Sequence, residues 1–166
     1  MSEATARWLL PLIATNQAQK EVTHNEALLL LDALIHPAVE SRLSATPPAT
    51  PPEGAVWIVA TGGTGEWTGK DGELALWASG GWRFLAPREG ATAWLKDEAL
   101  PARFDGAQWQ AGVLIGSEIR VGGVKVLAAR QPAIANPTGG TTIDNEARSA
   151  TTAILAALRN HGIIAT

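Results

Sequence analysis

The N-terminal part of the chain carries the hydrophobic pattern of an α-helix. Between positions 17 and 35, apolar residues recur at spacings of three and four, and this spacing predicts a helix that runs to about His36. The Thr-His-Asn-Glu sequence at 23–26 has the form of a capping box at its start, and Pro37 closes its end. Four consecutive leucines at 28–31 give the helix apolar surface on more than one side, so a partner subunit could be its second neighbour.

After the helix, four prolines within 46–52 mark the clearest boundary in the chain. Prolines at this density favour extended polyproline geometry, so the stretch is predicted to be a stiff spacer. Beyond it, strand-like runs separated by glycine-rich turns predict an antiparallel meander. These runs lie at 56–60, 73–78, 82–86, 91–95, 102–104 and 108–111. A hairpin with a two-glycine turn at 119–126 extends this sheet, or forms a second small one, to about Ala128.

The C-terminal segment predicts a second helix, from about Asp144 to His161, that Gly162 would end. Apolar and small residues at alternating spacings of four and three form a seam along it, flanked by Leu155 and Leu158. Such a helix could pack on the β domain or join copies of the chain around an axis.

These elements together predict an α+β chain in four parts. We expect an N-terminal helical attachment or assembly segment at 1–46, a proline-rich spacer at 47–54, a small tryptophan-rich antiparallel β domain at 55–128, and a turn region with a C-terminal oligomerisation helix at 129–166. The residues predicted to mediate oligomerisation are Leu28, Leu31, Ile154, Leu155 and Leu158.

The central hairpin is predicted to place large aromatic residues on one face. A turn at 79–80 sets Trp77 opposite Trp82, whereas a turn at 80–81 sets Trp77 opposite Phe84. In both registers these three aromatic residues share one face, and the other face carries Leu74, Leu76 and Leu85. Because the leucine face has the stronger claim on the core, the aromatic face must meet the N-terminal helix, an adjacent subunit or a ligand.

Six of the seven tryptophans fall between positions 57 and 109, in a glycine-rich region. An indole ring buries about 150–250 Å² and has few rotatable bonds, so clustered tryptophans suit a small core and a sugar-binding face equally well. Both interpretations remain open at this point. The residues predicted to bind carbohydrate are Trp67, Trp77, Trp82, Trp94 and Trp109.

Composition narrows the range of partners. The chain of 166 residues has a formal net charge of −3 with scattered lysines and arginines, so nucleic acid is not an expected ligand. It contains no cysteine, which excludes a disulfide framework and a thiol nucleophile. The start of the sequence fits neither a signal peptide nor a membrane span, so we expect synthesis in the cytoplasm and no membrane insertion.

No motif predicts catalysis. The three histidines, His24, His36 and His161, belong to no triad or metal-binding signature, and neither a metal nor another cofactor is expected. Paired carboxylates for glycoside hydrolysis need only proximity in space, so a small glycoside hydrolase stays a distant third interpretation. Its nominal pairs are Glu66 with Glu73 and Asp97 with Asp105. The expectation is that the chain is not an enzyme.

Several stretches resemble the domain-of-unknown-function family numbered 2793. The longest is LPLIATNQAQKEVTHNEAL at 10–28, and shorter ones follow in the family's order at 56–60, 65–69, 81–90 and 104–109. The resemblance covers about 8–109. No catalytic residues are assigned to the family, so the resemblance implies none here.

Members of that family occur in prophages and gene transfer agents, in proteins regarded as tail-fibre or spike components. The resemblance therefore implies a virion protein, a phage tail fibre or head spike subunit that contributes to host attachment by carbohydrate binding at the cell surface. The alternative is a purely structural adaptor that joins fibre or spike to the particle. By analogy with phage spikes we expect a homotrimer that contacts other virion proteins and resides in the virion or a virion-like particle.

Overall fold

The structure is a computed structural model that describes residues 4–13 and 20–165. The described residues form two helices and nine strands, in an α+β arrangement that confirms the predicted fold class. The elements are α1 (Lys20–Leu34), β1 (Ala38–Val39), β2 (Val56–Ile58), β3 (Leu74–Ala78), β4 (Gly81–Leu85), β5 (Thr92–Leu95), β6 (Leu100–Phe104), β7 (Trp109–Ala111), β8 (Ile119–Val121), β9 (Val124–Leu127) and α2 (Asn145–Asn160). A single 3-10 turn, Gly65–Trp67, lies between β2 and β3. Neither described helix is long and apolar enough to cross a membrane.

The chain divides into two compact units, Met1–Val113 and Leu114–Thr166. The first contains α1, the proline stretch and strands β1 to β7, and the second contains β8, β9 and α2. The residues on either side of the proline stretch are held by the β region, because the N–H of Thr64 donates to the carbonyl of Ala45 at 2.8 Å and the N–H of Gly54 donates to that of Trp77 at 2.9 Å. The division into four parts expected from the sequence stays a prediction.

Two sheets pack face to face in the first unit. Strands β2, β3 and β4 form an antiparallel sheet, and strands β1, β5, β6 and β7 form a second sheet in which only β1 runs parallel to its neighbour β5. Alternate residues of each strand point to the shared interior, as expected for a two-layer β fold. The resulting core consists of Ala33, Val39, Val56, Ile58, Leu74, Leu76, Ala78, Ala93, Leu95 and Ala102.

Of the two turns predicted for the hairpin of β3 and β4, the structure has the one at 79–80. Trp77 pairs with Trp82, and Ala78 pairs with Gly81, which leaves Ser79 and Gly80 as the loop. Their φ angles of 51° and 73° are those of a type I′ turn, whose twist matches that of the flanking strands. The predicted separation of leucines and large aromatic residues onto opposite faces is therefore confirmed.

The cover of the aromatic face differs from the one predicted. The sequence offered helix α1, an adjacent subunit or a ligand, but α1 packs on the leucine side, where Leu29 and Ala33 join the core. Trp57 of β2 lies on the same aromatic face, and Trp67 of the 3-10 turn packs over it. The loop between β2 and β3 therefore supplies the cover, and Trp77, Trp82 and Phe84 remain partly exposed.

Helix α1 begins earlier than its predicted capping box. Residues 23–26 lie inside the helix, which is described from Lys20, so the capping-box interpretation is wrong. Two of these side chains make long-range contacts instead. The Asn25 amide pairs with both backbone polar groups of Ile13, at 2.9 and 3.0 Å, and the Glu26 carboxylate accepts from Nε of Arg83 on β4 at 3.1 Å. The residues therefore fix tertiary structure rather than the helix start.

A buried carboxylate ties the N-terminal segment to α1. Asp32 accepts hydrogen bonds from the Thr5 hydroxyl at 2.7 Å and from the backbone N–H groups of Arg7 and Trp8 at 2.9 and 2.7 Å. Burial of a charged group is costly unless donors surround it, and here three donors converge on one carboxylate. The segment around Thr5 is consequently held against the end of the helix.

The second unit combines a two-stranded ribbon with a helix. The two-glycine turn of β8 and β9 is as predicted, with φ of 56° and 81° at Gly122 and Gly123. Helix α2 also matches its prediction, because the Asp144 carboxylate accepts from the N–H of Ala147 at 2.8 Å and Gly162 follows the helix end with φ of 71°. Among the described hydrophobic residues of this unit, only Leu155 and Ile164 are buried.

The core assignment makes a direct prediction about stability. Leu76→Ala removes a buried side chain at the interface of the two sheets, and the free energy of unfolding should fall by about 2–5 kcal/mol through lost burial and the cavity created. The same substitution at the exposed Leu43 should change it by no more than about 0.5 kcal/mol. Urea denaturation measures both values, and equal losses would contradict the proposed core.

Candidate functional site

The seven tryptophans play different structural parts, and two of them are core residues. Trp67 is 0 % exposed, and its ring centroid lies 6.2 Å from that of Trp57 and 5.2 Å from that of Trp82. Rings at these separations, in tilted and edge-to-face arrangements, form a packed aromatic cluster. A sugar cannot reach Trp67, so its predicted role in carbohydrate binding is wrong.

Three further tryptophans are partly buried. Trp77 and Trp82 contact each other edge to face at 5.1 Å, at the margin of the aromatic cluster. Trp109 packs on the core between the sheets, and its indole Nε1–H donates to the carbonyl of Gly72 at 2.9 Å. Each ring is therefore engaged with the fold and offers only part of its surface to a ligand.

Trp94 is the predicted sugar-binding residue that the structure leaves open. It lies on β5, where Thr92 and Trp94 are exposed and the alternating residues Ala93 and Leu95 are buried. Its side chain is 47 % exposed on the outer face of the four-stranded sheet. Unlike the clustered tryptophans, its ring makes no contact with another aromatic ring of the described chain, so a planar apolar surface is free there.

The strand register defines the neighbours of Trp94. Pro101 on β6 is directly opposite it, and the adjacent row on the same face contains Thr92, Arg103 and Gln110. Rows on one face of a sheet are about 6.6–6.8 Å apart along the strands, and neighbouring strands are about 4.8 Å apart. We refer to this set as the outer-face platform, which consists of Thr92, Trp94, Pro101, Arg103 and Gln110.

The polar members of the outer-face platform offer both donors and acceptors. The guanidinium of Arg103 makes no hydrogen bond or ion pair with any residue in the described ranges, so its donors are available. The Gln110 amide is fixed, because its Nε2 donates to Asp105 at 2.8 Å, and this leaves its oxygen free to accept. A flat ring beside such groups can pack against the C–H face of a sugar and bond its hydroxyls.

Asp105 stabilises the turn between β6 and β7, next to the platform residue Gln110. Its carboxylate accepts from the N–H groups of Gln108 and Ala107, both at 2.8 Å, and from the Gln110 side chain. Hydrogen bonds to the charged form, led by that from Gln108 and followed by that from Gln110, lower the pKa of Asp105 to about 2. The turn between β6 and β7 is thus organised around an ionised carboxylate.

Of the carboxylates named for hydrolysis, Glu73 and Asp105 have other contacts in the structure. Glu73 lies 3.5 Å from Nζ of Lys70 in an ion pair. A glycosidase general acid must hold a proton, which requires a raised pKa, whereas that of Asp105 is lowered. In the described ranges, no three His, Asp or Glu side chains form a group that could hold a metal ion.

The residues predicted to mediate oligomerisation are not equally accessible. Leu31 on α1 and Ile154 on α2 are exposed, while Leu28 and Leu158 are partly buried. Leu155 is buried within its own unit and cannot contact a partner, so its predicted role is wrong. The sequence pattern identified the apolar seam of α2 but did not reveal which side of it the second unit itself covers.

The described fold and platform define a two-sheet α+β domain with one open tryptophan on its outer face. The family model described as Protein of unknown function (DUF2793) matches residues 24–110, which is more than half of the chain. The chain belongs to this family, and the resemblance drawn from the sequence is confirmed. The match lies within the first unit and includes Asn25, Glu26 and every residue of the platform. No curated protein matches the chain.

The lowered pKa of Asp105 predicts how the β6–β7 turn responds to acid. Because the folded-state pKa is about 2 and the ordinary value is 3.8, the carboxylate's contribution to stability is fully present above about pH 3.8 and is lost as pH falls through about 2. A carboxyl-carbon NMR titration should give a midpoint near 2. Asp105→Asn should remove this acid-dependent component, and a wild-type midpoint at or above 3.8 would contradict the hydrogen-bond assignment.

Proposed function

We propose that this chain is a non-enzymatic subunit of a phage-like virion, in a tail fibre or head spike, and that its β domain contributes to attachment to host cell-surface polysaccharide. The observation that carries the sugar-binding part is the exposure of Trp94 among Thr92, Arg103 and Gln110 on a sheet surface. The family match itself names no function, so membership supports the proposal only through the virion role that the resemblance implied.

The physical form of the platform favours a polysaccharide over a small molecule. Small-molecule sites are usually concave and enclose most of the ligand, whereas the outer-face platform is one face of a sheet. A long polymer can lie across such a face and contact several residues in turn. The strands also hold the side chains in place before binding, which lowers the entropy lost on association.

Exposed apolar residues on α1 support a place within a larger assembly. Leu29 and Ala33 face the core, and Ala27, Leu31 and Leu34 lie exposed on the opposite side at spacings of four and three. An apolar stripe of this kind is typical of a helix that packs against a second partner. We propose another virion protein as that partner, with the subunit itself present as a homotrimer on the particle.

The alternative function is a purely structural adaptor between fibre or spike and particle. In that case the outer-face platform would be buried against a neighbouring virion protein, and Trp94 would serve as an interface anchor, a role in which tryptophan is enriched. The unpaired guanidinium of Arg103 and the available amide oxygen of Gln110 on the same face suit hydroxyl-rich ligands, and we therefore favour the attachment role.

The sugar-binding proposal predicts the behaviour of a matched pair of variants. Trp94 and Trp8 are 47 % and 49 % exposed, but Trp8 lies in the N-terminal segment, where its Nε1–H donates to the carbonyl of Ile35. Trp94→Ala should weaken binding of purified host capsular polysaccharide or lipopolysaccharide by about tenfold or more, which corresponds to about 1.4 kcal/mol. Trp8→Ala should leave the affinity unchanged.

Isothermal titration calorimetry on the full chain measures these affinities, and circular dichroism verifies that both variants are folded. Equal affinity of wild type and Trp94→Ala would exclude the platform as the binding site. Absence of wild-type binding to both polysaccharides would favour the adaptor function.

A further inference from the structure

The β8–β9 ribbon has one entirely apolar face. Val121 and Val124 are paired across the two-glycine turn, and the period of two along each strand adds Ile119 and Val126 to the same side. The register shift near Ile119 brings Leu127 opposite it. We call the resulting surface the ribbon face, which consists of Ile119, Val121, Val124, Val126 and Leu127.

The opposite side of the ribbon is charged. Arg120 pairs with Lys125 across the strands, and Nε of Arg120 also donates to the carboxylate of Glu118 at 2.5 Å. Strands with one apolar and one polar face normally bury the apolar one. Here the apolar face is not buried, because the five side chains of the ribbon face are 45–67 % exposed, and the charged side is exposed as well.

The second unit has only a small hydrophobic core of its own to stabilise it while the ribbon face is exposed. It extends over Leu114–Thr166, and its buried hydrophobic residues in the described ranges are Leu155 and Ile164. A two-stranded ribbon alone is marginally stable in water, and it needs a further strand, sheet or helix on its apolar face. The stability of this unit therefore calls for apolar contacts from outside it.

The surface area of the chain supports the same conclusion. A compact monomer of 17.4 kDa exposes about 7,900 Å², and two separately folded domains with the sizes of the two units would expose about 9,300 Å². The chain exposes 10971 Å². The excess over two separate domains is about 1,600 Å², and residues 112–147, all of them exposed and the ribbon face among them, contribute to it. A stable interface takes about 800 Å² from each partner.

We propose that the ribbon face is a self-association surface that packs against the same face of another copy of this chain; this contact is two-fold, so it does not itself build the homotrimer proposed above. A flat, uncharged surface of aliphatic side chains can pack face to face with its own copy at the usual sheet spacing of about 10 Å. The opposite side cannot do so, because the paired Arg120 and Lys125 would repel their counterparts. In the assembly these basic residues point outward into water on every copy.

This surface is distinct from the residues that the sequence pattern assigned to oligomerisation, which lie on α1 and α2. It is also independent of the outer-face platform, which belongs to the other unit. Failure of sugar binding would therefore leave the self-association proposal standing, and the reverse is equally true.

Two substitutions at adjacent positions of β9 test the proposal. Val124→Glu places a charge on the ribbon face, and Lys125→Glu places the same residue on the opposite side. Light scattering on the full wild-type chain should give a multiple of 17.4 kDa. Val124→Glu should shift the mass to that of one chain, and Lys125→Glu should retain the wild-type mass. A monomeric wild type, or a folded Val124→Glu variant with unchanged mass, would overturn the proposal.

Cysteine cross-linking gives an answer that holds even if Val124→Glu fails to fold. The natural chain contains no cysteine, so Val124→Cys and Lys125→Cys each carry a single thiol. With a short bis-maleimide reagent, Val124→Cys should give covalent dimers in high yield and Lys125→Cys should give few. Equal yields from the two variants, or more from Lys125→Cys, would overturn the ribbon face as the contact.

Discussion

Packing on both faces of the β2–β3–β4 sheet is the constraint on which the first unit depends. Its leucine face packs on the four-stranded sheet and on α1, and its aromatic face forms the aromatic cluster with Trp67. An antiparallel sheet often leaves one side in water, and here Trp67 packs over the aromatic side while Trp77, Trp82 and Phe84 stay partly exposed. The four-stranded sheet carries the exposed Trp94 on its outer face.

This arrangement separates two uses of tryptophan that composition alone cannot distinguish. Within the aromatic cluster, the rings contact one another edge to face and exclude water. On the outer-face platform, a single ring lies beside a proline, with Thr92 and Arg103 in the adjacent row. The platform belongs to the other sheet, where the hydrogen-bonded ladders of β5, β6 and β7 fix the backbone, and a shallow binding surface that cannot enclose its ligand needs such rigidity.

Local features of the fold follow from the sequence because local physics determines them. The positive φ angles at Ser79 and Gly80 are what a two-residue hairpin demands, and the Asp144 cap and Gly162 fix the limits of α2. Non-local contacts were not predictable in the same way. The period of two indicates which face Trp77 occupies, but not that a 3-10 turn brings Trp67 over it.

The candidate site was predictable only in part for the same reason. Neighbouring residues of a strand point to opposite faces, so either Trp94 or Leu95 must face outward from β5. Which of the two does so depends on how the β2–β3–β4 sheet packs against this strand. The prediction for Leu155 was wrong because its burial depends on how the second unit packs. The capping-box prediction was wrong because Glu26 binds Arg83, a contact that depends on tertiary structure.

The indole N–H signals of the seven tryptophans provide the most direct test of this separation. In an NMR titration of the full labelled chain with host capsular polysaccharide or lipopolysaccharide, the account predicts that the Trp94 signal shifts while those of Trp57 and Trp67 stay in place. A shift at Trp67, or binding that leaves Trp94 unaffected, would contradict it.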